Sequence, residues 1–324
     1  MQTRILHLSD LHLGRTNEEE QNFKLIVKYI LDKNENEWKN NKPIILITGD
    51  IVDDGTEAQY EVAVNHLNML HNAGFPLRVI PGNHDYGENG NNADIGNFNH
   101  FKRYFAHFHK GNMEYPNKEP INGHIFVGLN SMEEYTDVNF ARGKLGDKQI
   151  RNACDFIEKQ GNKIKGQKTI VCLHHHPFLF PDEGVLKRIG EKVGLWLADS
   201  ADFLKEIKNQ NVDILLFGHE HRHLAFSNTI INEVYNVPYI FSAGKSTEKG
   251  WEFNVKKDGT ADMPAPTILA DVADNPYIQN PDDVASEIEK IEDEKWKGIP
   301  SGLLGRLIEI GDDGSIVSKT IKFA

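Results

Sequence analysis

Cysteine is scarce in this chain, and its scarcity excludes several classes of protein. Only Cys154 and Cys172 occur among 324 residues, and neither belongs to a CxxC motif. A disulfide scaffold and a structural zinc site of the thiolate type are therefore not expected. Cys172 lies inside an apolar run, and we expect it to be a buried structural thiol. These features favour a reducing compartment.

Long apolar runs are also missing. No run approaches the roughly 18 residues that a membrane-spanning helix needs, and no basic segment followed by an apolar stretch opens the chain. We therefore expect no membrane span and a cytoplasmic location. Oligomeric state cannot be inferred from these features.

Positive charge is in deficit. Lys and Arg number 36 against 48 Asp and Glu, so the formal net charge is -12. A broad basic surface for nucleic acid is not expected. A small phosphate ester stays compatible with this charge, because bound divalent cations reverse the local sign.

The chain is long enough for one large domain with an appendage. We predict a catalytic domain over residues 1–255 and a C-terminal extension over residues 256–324 that packs on it. Within the extension, charged residues 282–297 have helical spacing, and residues 303–323 have the pattern of a hairpin.

Short apolar runs alternate with amphipathic segments in the first part of the chain. Residues 4–8, 43–48 and 77–80 are predicted strands, separated by predicted helices at 18–31 and 57–73. This alternation predicts an α/β fold with parallel strands. Later predicted strands include 124–129, 168–173 and 212–217, and later helices include 98–108, 146–159 and 200–208.

Histidine is abundant, with 15 residues, and many stand directly after these apolar runs. Five polar clusters follow predicted strands: Asp10-Leu11-His12, Gly49-Asp50, Gly82-Asn83-His84-Asp85, His174-His175-His176-Pro177 and Gly218-His219-Glu220-His221. Ligand sites of such sheets lie beyond the carboxyl ends of the strands. Side chains two positions apart on an extended chain point the same way, so Asp10 with His12, and His219 with His221, can each present two ligands to one point.

Asp-x-His and Gly-Asp are each more often an ordinary polar strand end or turn, whereas Gly-Asn-His-Asp, His-His-His-Pro and Gly-His-x-His are each more typical of a site. All five in this order predict a metal centre. Carboxylate oxygen and imidazole nitrogen suit borderline divalent ions such as Mn, Fe, Zn and Ni.

This series of motifs resembles the calcineurin-like metallophosphoesterase superfamily over roughly residues 3–245. The segments HLSDLHLG, ITGDIVDDG and VIPGNHD are similar to the motifs of one branch, the bacterial cyclic-nucleotide and glycerophosphodiester phosphodiesterases. The resemblance implies a four-layer α/β/β/α sandwich, in which two packed mixed sheets are flanked by helices and two divalent metal ions lie at the rim.

The resemblance also implies roles for individual residues. Asp10, His12 and His221 correspond to the ligands of one metal, and Asn83, His175 and His219 to those of the other. Asp50 corresponds to the carboxylate that bridges both. His84 corresponds to the histidine that contacts the phosphate and protonates the leaving oxygen, and Asp85 to the residue that orients it.

Two choices among the histidines are open on the sequence. His174, His175 and His176 are consecutive, and His175 is selected because the family ligand stands two residues before proline. His223 extends the last cluster with the correct parity, although a supporting or substrate-facing role is favoured for it over that of a ligand.

The implied activity is hydrolysis of a phosphoester, most readily a phosphodiester, by a hydroxide that bridges two metals, with His84 as general acid. The expected partner is a small-molecule phosphoester. Alternatives are a nuclease using a patch of Lys102, Arg103, Lys163, Lys165 and Lys168, a protein or small-molecule phosphomonoesterase, and a scaffold that has lost its metals. Aromatic Phe98, Phe101 and Tyr104 are expected either to stack on a base or to pack in the core.

Overall fold

The computed structural model describes residues 2–87, 95–134, 141–177, 197–219, 221, 223–227, 230–254 and 299–324. The predicted charged helix at 282–297 lies outside these residues. In chain order the strands are β1 (Thr3–Leu8), β2 (Ile44–Thr48), β3 (Leu77–Ile80), β4 (Asn117–Ile121), β5 (His124–Gly128), β6 (Thr169–Cys172), β7 (Ile214–Phe217), β8 (His223–Ser227), β9 (Tyr239–Ser242), β10 (Lys249–Asn254), β11 (Ile299–Ile310) and β12 (Ile316–Lys322). The helices are α1 (Asn17–Asn36), α2 (Glu57–Asn72), α3 (Ile95–Phe105), α4 (Asp147–Lys159), α5 (Ser200–Ile207) and α6 (Ile230–Tyr235).

The strands form two mixed sheets. In the first sheet, β1, β2 and β3 are parallel, and the β11–β12 hairpin adds antiparallel strands beside β1. In the second sheet, β5, β6, β7 and β9 are parallel neighbours, with β4 antiparallel at one side and β8 and β10 at the other. The parallel strands confirm the α/β class, because helices cover both outer faces.

Strand β11 belongs to both sheets. Its first residues pair with β10, and its later residues pair with β1 from His7↔Arg306 to Thr3↔Ile310. Within the part that pairs with β10 the register shifts by one residue, between Gly250↔Gly302 and Trp251↔Pro300, and Gly302 has a φ of +107° there. Such a bulge bends a strand, which lets β11 pass from one sheet to the other.

Three apolar clusters define the layers. One packs α1, α2 and α3 on the outer face of the first sheet, and a second packs α4, α5 and the strand faces beneath them on the other side. The third joins inner residues of both sheets, for example Ile5 and Leu46 with Ile170 and Leu216. The predicted four-layer sandwich is therefore confirmed.

The boundary at residue 255 stays a prediction, although the hairpin of the proposed extension pairs with β1 inside the first sheet. Two elements, β8 and α6, had no counterpart in the sequence pattern. None of the described helices is both long and apolar enough to cross a membrane.

Candidate metal centre

The five polar clusters all follow parallel strands of the sandwich. They come after β1, β2 and β3 of the first sheet and after β6 and β7 of the second. Hydrogen bonds join the loops of one sheet to those of the other: the His219 N–H donates to Asp10 Oδ2 at 3.1 Å, and His174 Nδ1 donates to the carbonyl of Thr48 at 2.7 Å. The carboxyl ends of both sheets thus meet at one rim.

The backbone of this rim is held in an unusual conformation. Asp10, His12, Asp50, His219 and His221 all have left-handed φ angles, between 45° and 71°. This conformation is uncommon for residues other than glycine and costs free energy, which surrounding structure must offset. Its concentration at five predicted ligands supports a functional rather than a merely structural origin.

Glycines allow the loops to approach each other. A Cβ atom on Gly82 would lie 2.2 Å from Asp50 Oδ1, and one on Gly218 would lie 1.9 Å from Ser9 Oγ and 2.8 Å from Asp10 Oδ2. Both contacts are too short for any side chain. The glycines before Asn83 and His219 are therefore needed to bring the side chains together.

The first group of potential ligands comprises Asp10, His12 and His221. His221 Nε2 lies 3.4 Å from Asp10 Oδ1 and 3.3 Å from His12 Nε2. Asp10 and His12 are buried, whereas His221 is exposed at the rim. Carboxylate and imidazole atoms that converge in this way can coordinate one cation.

The second group comprises Asp50, His174 and His219, with Asn83 beside them. His174 Nε2 lies 3.2 Å from Asp50 Oδ2, 3.1 Å from Asn83 Oδ1 and 3.1 Å from His219 Nδ1. His174 Nδ1 donates to the carbonyl of Thr48 at 2.7 Å. That bond leaves the Nε2 lone pair facing the group, which is the usual arrangement of a metal-binding histidine.

Asp50 lies between the two groups. Its Oδ2 is 3.2 Å from His174 Nε2 and 3.9 Å from His12 Nε2. Its Oδ1 accepts a hydrogen bond from the backbone N–H of His84 at 2.9 Å. This position fits a carboxylate that two cations share.

His175, which the sequence analysis selected, lies outside this group, and His174 occupies the position expected for it. The His175 ring donates through Nε2 to the carbonyl of Ala141 at 3.0 Å and accepts through Nδ1 from Ser131 Oγ at 2.7 Å. Both ring nitrogens are thus used by protein partners. The position counted back from proline and the position whose ring faces Asp50 therefore differ by one residue, because His174 follows Leu173 just after the buried end of β6.

His84 lies next to the two groups, but Asp85 does not orient its ring. Asp85 accepts from the backbone N–H groups of Ile51, Val52 and Gly82, so it holds the loops after β2 and β3 together. The ring of His84 donates through Nδ1 to the carbonyl of Asp53 at 2.7 Å, and the Asp53 carboxylate is 3.6 Å away.

The sequence analysis missed Asp53. Its carboxylate also accepts from His12 Nδ1 at 2.9 Å, so one residue contacts a potential ligand and the potential acid. Its position three residues after Asp50, in the segment GDIVD, is the sequence feature that could have identified it. A buried carboxylate behind a metal-binding histidine fixes its tautomer and raises its basicity.

The electrostatics of the rim favour a cation. Burial opposes charge on Asp50, yet the surrounding histidines hold its pKa well below the usual range. Burial likewise lowers the pKa of His174, but the Asp50 and Asp10 carboxylates outweigh it and raise that pKa to about 9. A negative potential that stabilises a proton on a buried histidine also stabilises a metal ion in its place.

A buried acceptor supports the same conclusion. Asp10 Oδ1 is buried and has no hydrogen-bond partner among the described residues. A buried carboxylate oxygen in that state is costly, and a cation between Asp10, His12 and His221 would satisfy it. Oxygen and nitrogen donors without thiolate fit Mn, Fe, Zn or Ni.

Other candidate residues lie away from the centre. His223 is fully buried and outside the potential ligand groups found among the described residues. Phe98 and Phe101 are buried in the cluster under α3, so they belong to the core. Lys163 and Lys168 both contact Asp213, whereas Arg103 pairs with Glu57 in a different layer, so the cations proposed for a nuclease patch are divided between layers.

Comparison with known proteins agrees with this geometry. Residues 3–223 match the model of the calcineurin-like phosphoesterase family. A probable glycerophosphodiester phosphodiesterase, GpdQ, of Arcobacter nitrofigilis is 27% identical over 209 residues, which are 61% of this chain and 63% of the relative. A probable cyclic nucleotide phosphodiesterase of Coxiella burnetii is 28% identical over 190 residues, which are 57% of this chain and 62% of the relative.

The matched region thus spans less than two thirds of each relative. A solved structure of the purple acid phosphatase PPD1 from yellow lupin seeds is similar in fold, with a TM-score of 0.57 and 13% identity, and covers 100% of this chain and 52% of the phosphatase.

The fold and the family match agree with each other. The chain belongs to the calcineurin-like phosphoesterase family.

Proposed function

We propose that this protein hydrolyses a phosphodiester at a centre of two divalent metal ions. Asp10, His12 and His221 hold one ion, and Asn83, His174 and His219 hold the other. Asp50 is shared between them. The observation that carries the proposal is the position of Asp50, whose Oδ2 faces His174 on one side and His12 on the other.

The two ions supply Lewis acidity, which lowers the pKa of water and offsets negative charge on the phosphate. The protein holds the donors in place before any ion binds. Thr48 and Asp53 accept hydrogen bonds from the rear nitrogens of His174 and His12, so the front nitrogens face the ions.

His84 acts as the general acid. Its Nδ1–H is fixed on the Asp53 carbonyl, so Nε2 is the ring nitrogen that can donate to the substrate. The Asp53 carboxylate lies 3.6 Å from Nδ1 and fixes the ring in place. General acid catalysis of this kind contributes about 10²–10⁴-fold. Two relatives are named as phosphodiesterases, which supports a diester over a monoester.

The test compares bis(p-nitrophenyl) phosphate with p-nitrophenyl phosphate, after metal is stripped and Mn²⁺ is restored. We expect metal-dependent turnover that favours the diester and is abolished in Asp50→Ala. Preference for the monoester would replace the diester with a phosphatase reaction. Turnover that survives both metal removal and Asp50→Ala would refute the centre itself.

His84→Gln separates binding from catalysis. We expect this variant to keep its metal content and lose turnover by about 10²–10⁴-fold. A variant with unchanged turnover would remove His84 from the reaction. His84→Gln should reduce turnover less for a diester with a good leaving group than for one with an alkoxide leaving group, because only the poor leaving group needs the proton.

A further inference from the structure

Arg15 directly follows the first ligand motif and lies at the rim of the metal centre. Its backbone N–H donates to the carbonyl of His12 at 3.1 Å, which fixes where the side chain starts. The side chain is 49% exposed. The backbone of Arg15 is therefore fixed near the centre, while its side chain is accessible to solvent.

Arg15 differs from other cations near the rim in how weakly it is paired. Lys245 Nζ lies 2.9 Å from Glu19 and 3.0 Å from Glu248, and Lys144 Nζ lies 2.8 Å from Glu134. Arg15 Nε is 4.0 Å from Asp53 Oδ1, the one carboxylate within ion-pair distance of it in the described chain. That distance is beyond a hydrogen bond, so its donors stay available.

Asp53 cannot satisfy Arg15, because its carboxylate is already used. Asp53 Oδ1 accepts from His12 Nδ1 at 2.9 Å and lies 3.6 Å from His84 Nδ1. Arg15 Nε and His84 Nδ1 thus both lie within 4.0 Å of the same Asp53 oxygen, which places the guanidinium beside the proposed acid.

We propose that Arg15 binds a second anionic group of the substrate, carried on the leaving-group side, and so determines which phosphodiesters are good substrates. This inference rests on the proposed function. A guanidinium forms paired hydrogen bonds with a carboxylate or a further phosphate equally well. In a protein of net charge -12, a local cation also offsets the repulsion that a doubly anionic substrate would meet.

A matched pair of diesters tests this role. One is bis(p-nitrophenyl) phosphate, and the other is the analogue in which a carboxylate replaces one nitro group, which has almost the same shape. Wild type, Arg15→Ala, Arg15→Lys and the control Arg151→Ala are compared for kcat and KM on both. Arg151 is exposed and pairs only weakly, at 3.7 Å, with Asp147 in the same helix.

We expect Arg15→Ala to raise KM for the carboxylate diester about tenfold more than KM for the neutral diester, a difference that shrinks at high salt because the contact is exposed. Arg15→Lys should restore part of it, and Arg151→Ala should show no difference between substrates. Equal losses on both diesters, carried by kcat, would overturn the proposal and show that Arg15 acts only through Asp53.

Turnover by wild type distinguishes failure of the proposed function from failure of the role of Arg15. Metal-dependent turnover of the neutral diester with no Arg15-dependent discrimination overturns the role of Arg15 and leaves the proposed function standing. Absence of turnover on either diester by metal-loaded wild type overturns the proposed function, and the role of Arg15 falls with it.

Discussion

Asp53 connects two histidines that have different tasks in the proposed reaction. It accepts from Nδ1 of His12, a proposed ligand, and its carboxylate and carbonyl both lie near Nδ1 of His84, the proposed acid. Burial and these histidines have opposite effects on its pKa, and the net effect is a lowered pKa. The negative charge of Asp53 should therefore support metal binding and proton donation together.

Asp53→Asn removes that charge while it keeps an oxygen that can accept from His12. We predict a loss of about 10–100-fold in activity or metal affinity, the range found for residues behind metal ligands. Steady-state kinetics with a metal titration measures both. The matched control is Asp54→Asn, because the Asp54 carboxylate accepts from the Gln59 amide instead. Equal behaviour of the two variants would contradict the role of Asp53.

His174 and His175 are adjacent, so exchanging them for alanine tests which one holds metal. We predict that His174→Ala binds one metal ion fewer and loses turnover, because its Nε2 faces Asp50, Asn83 and His219. His175→Ala should keep its full metal content, since its ring contacts Ala141 and Ser131. Metal analysis by mass spectrometry after dialysis distinguishes them, and loss of metal in His175→Ala alone would reverse the assignment.

At the scale of elements, the conformation of the loops after the strands, rather than alternation along the strands, brings the proposed ligands together. Strand alternation suggested that Asp10 and His12 share a direction, but β1 ends at Leu8 and both residues adopt left-handed backbone. Their side chains converge because the loop curls, not because a strand alternates. The interpretation named suitable residues for an incorrect local reason.

The sequence predicts the strands better than the loops that carry the site. Strand ends such as Thr48 and Phe217 were predictable, because buried runs are short and apolar and stop at Gly-Asp or Gly-His. The choice of His174, and the role of Asp53, depend on loop conformation, which periodicity does not encode. Strand β8 was missed because its side chains follow a polar cluster without a turn signal between them.

Gly302 tests the strand that joins the two sheets. Its φ is +107°, and a Cβ there would lie 2.1 Å from the carbonyl oxygen of Ala324. We predict that Gly302→Ala lowers the free energy of unfolding by about 1–3 kcal/mol, measured by urea denaturation. Gly123→Ala is the control, because its φ is +85° with no atom within 4 Å. A loss no larger than that of the control would show that the bulge can relax.

At the scale of the whole molecule, the sandwich encloses histidines that must stay neutral. Burial, reinforced by Arg306, lowers the pKa of His7 to about 3, and burial, reinforced by Arg78, lowers that of His109 to about 4. His109 Nε2 accepts from the backbone N–H of Val79 at 3.1 Å. Protonation would remove that acceptor, so these residues couple stability to pH.

The direction of this coupling follows from the shifts. Because the folded-state pKa of His109 is below its ordinary value of 6.5, the unfolded chain binds more protons as pH falls. Its contribution to stability is complete above about pH 6.5 and is lost as pH falls toward 4, by about 1.4 kcal/mol per pH unit within that window.

His109→Gln keeps an acceptor for Val79 but cannot titrate. We predict that the free energy of unfolding of wild type falls more steeply than that of this variant between pH 6.5 and pH 4.5, so that the two curves converge on acidification. Urea denaturation with metal held constant at each pH measures the difference. Parallel curves would mean that protonation of His109 has no part in the acid sensitivity of the fold, and the coupling would then have to come from other buried groups such as His7.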